Sequence, residues 1–309
     1  MSYIVSHSDA EQHSRCEWAH HYSYGFNLVP KKMPEHLQRG DMGHKVLAGY
    51  YRAVRDGYNW DDACEAGREA WRECLKTGKY DFEIADEVLK IFEAYVEYYH
   101  PNEWEIIWVE EYIEYQVTDN FVLNGEIDLV IRDKRRGKFF GKLGIVDHKW
   151  SFNFMTAKEV ETHSQIPKYM FACNQMDLFG EEIQFGLINE LRWRSVKNVS
   201  DMFAREPLEP SEIKQAAFIA EYIKQCNRIV PKRNLEDPVY WKEHSGRTTI
   251  KDICRSCDFV TPCVEELNGK SPDTTLKVYF TQKDHSYREQ RTRVNGKPIR
   301  SEGNDSQDS

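Results

Sequence analysis

NGEIDLVIRDKRRGKFFGKLGIVDHKWSFN, residues 124 to 153, holds two apolar runs of strand-like alternation on either side of the basic turn KRRGK. A residue period of two sends Glu126 and Asp128 to one face of the first run and Ile127 and Leu129 to the other. In the second run Asp147 and Lys149 share a face with Ile145. Two carboxylates and an amine can therefore converge at neighbouring strand ends. Paired carboxylates in oxygen-rich surroundings suit Mg2+ or Mn2+, which polarise phosphoryl oxygens, and a nearby lysine can orient water and offset phosphate charge. An isolated D-x-K is more often a solvated face or an exposed ion pair, so the flanking elements must decide.

Working outward, EIIWVEEYIEYQV and FVLNGEIDLVIRD, broken by TDN, and then GIVDHKW read as three successive strands. TAKEVETHSQIPKYMFACNQMDLFG has helical spacing and ends at Gly180, and EEIQFGLINELRW is a further strand. The middle of the chain is thus β-β-β-α-β. Upstream, helical periodicity covers Met42 to Asp56 and Trp60 to Lys76, and KYDFEIADEVLKIFEAYVEYYH forms a third helix before Pro101. Residues 211 to 230 form another helix, after which comes a polar stretch with Pro231 and Pro238. The last segment, 283–309, is polar and aperiodic and reads as a disordered tail.

The chain has 309 residues, 40% hydrophobic and 13% aromatic, enough to bury a sizeable core. No apolar run reaches the ~20 residues of a membrane span, and the N-terminus lacks a signal-peptide apolar region. The expectation is a soluble cytoplasmic protein with no membrane partner. A net charge of -9 argues against a wholly cationic nucleic-acid binder but leaves room for local basic strips. KRRGK, LRWRSVK and Lys232 with Arg233 are such strips, with Trp193 among them, and could track a single strand or a frayed duplex end.

CRSCDFVTPC sets Cys254, Cys257 and Cys263 within ten residues, and Cys16 stands near the other terminus as a candidate fourth soft ligand. Spacing alone leaves iron–sulfur and Zn2+ both open, and a reducing compartment disfavours disulfides. Cys64, Cys74, Cys173 and Cys226 fall in predicted helices, where buried free thiols are the default.

Asp128, then Asp147-His148-Lys149 on the next strand, then Gln165 and Tyr169 on the following helix, resemble the PD-(D/E)XK nuclease superfamily. The Q-x-x-x-Y spacing is similar to its RecB-like exonuclease branch, as is His44 beside Gly43, with Gly40 just upstream, on an early helix. The resemblance covers residues 14 to 265 and extends to CRISPR-associated and AddB-type nuclease domains, some of them phage-encoded, for which the compartment is the host cytoplasm. It implies an α/β fold with a restriction-endonuclease-like αβββαβ core of mixed sheet, an N-terminal helical region and a C-terminal cysteine-cluster staple. The boundaries it implies are 1–103, a nuclease core at 104–200, a C-terminal part at 201–282, and the tail.

The resemblance further implies a Mg2+- or Mn2+-dependent deoxyribonuclease acting at DNA ends. Asp128, Asp147, His44 and the His148 carbonyl would hold metal, Lys149 would position water, and Gln165 and Tyr169 would contact the lysine or a phosphate. Glu111 is a further candidate acid, Glu126 can reach the Asp128 face, and Glu161 lies one turn before Gln165. In the iron–sulfur subgroup, Cys16, Cys254, Cys257 and Cys263 hold a four-iron four-sulfur cluster, with Zn2+ as the alternative. The implied partners are DNA, single-stranded or with free ends, and a helicase or recombination protein. A non-catalytic nucleic-acid-binding module is the competing expectation.

Overall fold

Strands β1 (Tyr3–Ser6), β3 (Trp104–Thr118), β4 (Phe121–Asp133), β5 (Leu143–Ser151), β6 (Ile183–Arg192) and β7 (Phe203–Leu208) form one mixed sheet in this computed structural model. The structure describes residues 3–194, 196–233, 246–248 and 250–283, so the expected tail lies outside it apart from Lys283. β2 (Leu28–Pro30) pairs with β8 (Phe280–Gln282) in a separate two-stranded sheet, joining segments from near both ends of the sequence.

β3 pairs with β4 along one whole edge, and the other edge of β4 is shared between two partners. β1 lies parallel to residues Phe121 to Asn124, and β5 lies antiparallel to Leu129 to Arg132. Residues 125–128 face a gap between those partners, because β5 leaves β4 after the Val146 pair and runs on parallel to β6. The sequence pattern supplied β3 to β6 but not β1 or β7, which are only 4 and 6 residues long and carry little periodic signal.

Helices α3 (Glu35–Arg55), α4 (Trp60–Lys76) and α5 (Phe82–Tyr98) cover one face of the sheet. Their apolar stripes meet Leu129, Ile131, Val146 and Phe185 in a core that includes Val46, Leu47, Val88 and Phe92. α4 starts where the Asn59 side-chain carbonyl accepts the Asp62 N–H and stops before Gly78, whose φ of 66° suits a residue without Cβ. The opposite face is covered by α1 (His7–Arg15), α7 (Gln165–Gln175) and α8 (Glu212–Arg233), with Ile127, Val130, Ile145, Met170 and Tyr222 inside. Each fully buried side chain of this size contributes roughly 1.5–3 kcal/mol. The helix read as continuous from Thr156 breaks at His163: a Thr156–Glu159 capping box starts the short α6 (Ala157–Thr162), and α7 begins at Gln165.

The strand alternation is not uniform. Leu123 and Ile127 of β4 enter the α7 core, whereas Leu129 and Ile131 enter the α3–α5 core. On β3 the same change separates Ile113 from Val109, and between them Glu110 adopts a left-handed φ of 51°. Ile127 and Leu129 therefore do not share a face as strict alternation required. The phase resets beside Asp128, which places the acids there toward α3.

A third small core holds Trp18, Ala19, Tyr22, Phe259 and Phe280, with Cys16, Cys257 and Cys263 packed at its margin. Cys64, Cys74, Cys173 and Cys226 are buried free thiols, as their helical positions predicted. Among the described residues no helix is long and apolar enough to cross a membrane.

Candidate active site

Gly43 lets α3 close onto β5: a Cβ there would lie 2.0 Å from Cε2 of Trp150. That approach carries the next residue, His44, to the gap in the sheet. Its Nδ1 lies 3.5 Å from Asp128 Oδ2 and 3.6 Å from Glu110 Oε1, and donor atoms of the three residues all fall within 4.8 Å of one another. The His148 main-chain N–H donates to Asp128 Oδ2 at 2.6 Å, filling the place of the ladder bond that β4 and β5 give up. Burial by itself lowers the pKa of His44, but the Asp128 and Glu110 carboxylates more than reverse this, so the imidazole titrates well above its ordinary range. Burial works to raise Asp128, yet His44 and the His148 N–H hold it below the usual carboxylate range. Glu110 is pushed up by burial.

The second half of the site faces α7. The Lys149 ammonium lies 2.7 Å from Asp147 Oδ2, donates to Oδ1 at 3.0 Å, and donates to Gln165 Oε1 at 3.3 Å. Burial disfavours its charge, but Asp147 outweighs that and keeps the pKa raised, so the amine is an ammonium at neutral pH. Asp147 Oδ2 is buried and accepts no well-aligned hydrogen bond, and His163 Nε2 stands 3.6 Å away. Tyr169 packs its phenol against Gly125, where a Cβ would sit 1.9 Å from the hydroxyl oxygen. Burial raises the Tyr169 pKa, so it serves as a neutral wall and hydrogen-bonding group behind Gln165.

The His148 ring meets the His44 ring edge to face, with 6.1 Å between centroids, and reaches into the core under the helices. It stacks on Tyr51 with 5.7 Å between centroids and 10° between planes, and Asn189 Nδ2 donates to its Nδ1 at 2.8 Å. Asn189 is fixed in turn by Arg205 Nε at 3.2 Å, and Arg205 also pairs with Glu103. Burial pushes the His148 pKa down to about 3, leaving a neutral structural imidazole.

Other sequence-predicted positions fall differently. Glu110, not Glu111, joins His44 and Asp128, because the left-handed turn at Glu110 brings its carboxylate to the α3 side. Glu161 lies on α6, before the helix break, and pairs with Lys214 at 3.3 Å on the surface. The KRRGK turn is at the far end of the β4–β5 hairpin, roughly 17 Å along the strand from Asp128. There Arg135 pairs with Asp133 and Lys138 with Glu209, so two of the four cations expected to meet DNA are neutralised locally. The side chains of Lys232 and Arg233 lie outside the described residues. His163 was missed because its usefulness depends on the break after Thr162, which periodicity concealed.

The donors suit a hard divalent cation: two carboxylates and an imidazole within one coordination distance, beside a buried Asp147 oxygen without an aligned donor. The thiols also converge in part. Burial, with Cys16 and Cys263 nearby, pushes the Cys257 thiol up to about 11, while Cys254 Sγ donates to the Thr248 carbonyl at 3.8 Å. Residues 16 and 263 thus meet across the fold with their sulfurs unoxidised.

A family model described as the PD-(D/E)XK nuclease superfamily matches residues 4–264. The chain belongs to the PD-(D/E)XK nuclease superfamily. Its β3-β4-β5-α7-β6 succession, with the two aspartates and the lysine on β4 and β5, is the α/β mixed-sheet core of that superfamily. Among solved structures, this PD-(D/E)XK chain is similar to a protein from Eubacterium rectale provisionally named an exonuclease. The two share 11% identity with a TM-score of 0.45, covering 82% of this chain and 87% of that one. It is also similar to a protein called SSO0001, at 12% identity and a TM-score of 0.31, covering 73% and 83%. No curated protein matches the chain.

Proposed function

We propose that this PD-(D/E)XK protein is a metal-dependent DNA nuclease of the RecB-like branch, hydrolysing phosphodiester bonds at DNA ends. The observation that carries the proposal is the meeting of His44, Glu110 and Asp128 within 4.8 Å of one another, next to an Asp147–Lys149–Gln165 chain of contacts. His44, Glu110, Asp128 and Asp147, with the His148 carbonyl as a further oxygen, would hold Mg2+ or Mn2+. When bound, such an ion supplies positive charge that polarises a phosphoryl oxygen and makes water more acidic.

The protein's own groups do the positioning. Lys149 stays charged and is fixed by Asp147 and Gln165, so it can hold a water in line with phosphorus and offset negative charge as the bond breaks. Tyr169 and Gly125 fix the α7–β4 contact that places Gln165. Cys16, Cys254, Cys257 and Cys263 would hold a four-iron four-sulfur cluster, or else Zn2+, tying the chain ends around the core. The substrate is DNA with free or single-stranded ends, delivered by a helicase or recombination partner in the cytoplasm.

The test is cleavage of end-labelled single- and double-stranded linear DNA and of closed circular DNA by anaerobically purified protein, in Mg2+, Mn2+ or EDTA. Metal-dependent loss of linear DNA, absent in Asp147→Ala and Lys149→Ala, is expected. Metal-loaded wild type that binds DNA without cutting it would establish a binding module instead. Iron content and visible absorption of the same sample separate the cluster from zinc.

A further inference from the structure

Beyond Lys149 the two central strands run on together, Ser151 of β5 opposite Arg192 of β6. Past their ends lies a layered set of aromatic and cationic side chains. Phe152 and Trp193 lie with ring centroids 4.8 Å apart, and Phe152 is 46% exposed despite its size. The Arg194 guanidinium lies 5.5 Å from the Phe152 ring, and Arg192 covers Phe154 at 3.7 Å. Phe154, Arg192, Arg194 and Lys197 line an open cleft of about 570 Å³.

Two features separate this rim from an ordinary solvated surface. The first is charge. Arg192, Arg194 and Lys197 gather on one cleft, with Asp201 as the acid of its lining, and the three cations form no ion pair among the described residues. The second is anchorage. The Met155 N–H donates to Glu190 Oε1 at 2.8 Å, and burial raises the Glu190 pKa, so a fully buried carboxyl pins the turn that carries Phe152 and Phe154 onto β6. The Trp193 N–H donates to the Ser151 carbonyl at 3.1 Å and fixes the other side. The aromatics are therefore held on a stiff scaffold.

We propose that Phe152, Phe154 and Trp193, with Arg192, Arg194 and Lys197, form a platform that holds a single-stranded segment of the DNA substrate immediately beside the catalytic lysine. The exposed Phe152 ring accepts an unstacked base, backed by the half-buried Trp193 and Phe154, which Arg39 and Arg192 cover; the unpaired cations accept phosphates, and a paired duplex offers its phosphates but not its base faces. Phe152 lies three residue steps beyond Lys149, on the order of 10 Å, or about three phosphate spacings of a stacked strand. A strand engaged there continues directly to the site. The inference rests on the nuclease reading for its substrate and adds the form in which that substrate is held.

The test keeps the two readings apart by measuring binding in EDTA, where no cleavage occurs, with fluorescently labelled oligothymidylate and a blunt duplex of equal length. Wild type should prefer the single strand. Phe152→Ala/Arg194→Ala should weaken oligothymidylate binding about tenfold or more and lower the salt slope by about 0.7 for the lost phosphate contact. Duplex binding should change by no more than the single charge. Lys149→Ala, cleavage-deficient under the nuclease reading, should keep the preference for oligothymidylate over the duplex that Phe152→Ala/Arg194→Ala loses. Unchanged oligothymidylate affinity in the double variant, or equal losses for single strand and duplex, overturns the platform. Retained cleavage by Lys149→Ala would overturn the nuclease reading while these binding results still decide the platform.

Discussion

Gly43→Ala offers the sharpest test of how the site is assembled. In α3 the substitution is locally favourable, since alanine is about 1 kcal/mol better than glycine in a helix interior. The obstacle is tertiary: the new Cβ would start 2.0 Å from Trp150 Cε2 and must retreat about 1.4 Å to reach the 3.4 Å of ordinary contact. Trp150 is packed against the α3–α5 core, so its ring and the helix must share the movement. Overpacking of this kind costs about 1–3 kcal/mol, leaving a net loss of up to about 2 kcal/mol and a Tm lower by several degrees. His44, one residue along, has its Nδ1 only 3.5 Å from Asp128, so a displacement of order 1 Å should reduce cleavage about a hundredfold.

Gly40→Ala is the matched control on the same helix, with nothing within 4 Å of its Cβ. It should raise Tm slightly and leave the rate at wild type. Adding Trp150→Phe to Gly43→Ala removes the pyrrole half of the indole and should recover most of the lost activity, a non-additive result. Assays are initial rates on end-labelled DNA and melting curves for wild type, Gly40→Ala, Gly43→Ala, Trp150→Phe and the Gly43→Ala/Trp150→Phe pair. Wild-type rate and Tm in Gly43→Ala would refute the claim that the α3–β5 approach sets the position of His44.

Other substitutions probe the frame and the staple. Arg205→Met should cost about 3 kcal/mol in urea unfolding, because it leaves Glu103 and Asn189 without the guanidinium that spans them; a loss under 1 kcal/mol would show the network to be dispensable. Lys168, buried with its Nζ 2.6 Å from His7 Nδ1, has its pKa lowered to about 8 by burial. The unfolded lysine titrates near 10.4, so between pH 8 and 10.4 the unfolded chain binds the extra proton and stability rises with pH. Relative to Lys168→Met, wild type should gain about 3 kcal/mol across that interval, and parallel stability curves would contradict the assignment. Cys16→Ser should lose bound iron or zinc and melt lower than wild type by several degrees, measured by metal analysis and calorimetry; full metal content would exclude Cys16 as a ligand.

Much of this was legible because it is local. The strands β3 to β5 announce themselves by alternation, and Asp147 with Lys149 must share a face on any regular strand, as the 2.7 Å contact bears out. Gln165 was legible as well, four residues ahead of Tyr169 on one helical face, and it reaches Lys149. Glu110 was not, since no residue pattern reveals a glutamate at a φ of 51° in mid-strand. Nor was the fate of the basic turn, where Asp133 pairs with Arg135 and Glu209, on a distant segment, with Lys138.

Residue order and spacing were enough to read β3 to β6 and the longer helices and to set Asp147 and Lys149 on one strand face, because spacing fixes direction over a few residues, while the resemblance to PD-(D/E)XK nucleases singled out Asp128, Asp147, Lys149 and Gln165 together. Which acid completes the His44 cluster, and where the site opens, were settled by long-range packing. Those depend on β5 leaving β4 after Val146, on the phase reset at Asp128 and on Gly43 admitting Trp150, contacts between segments up to about a hundred residues apart whose geometry no local period encodes.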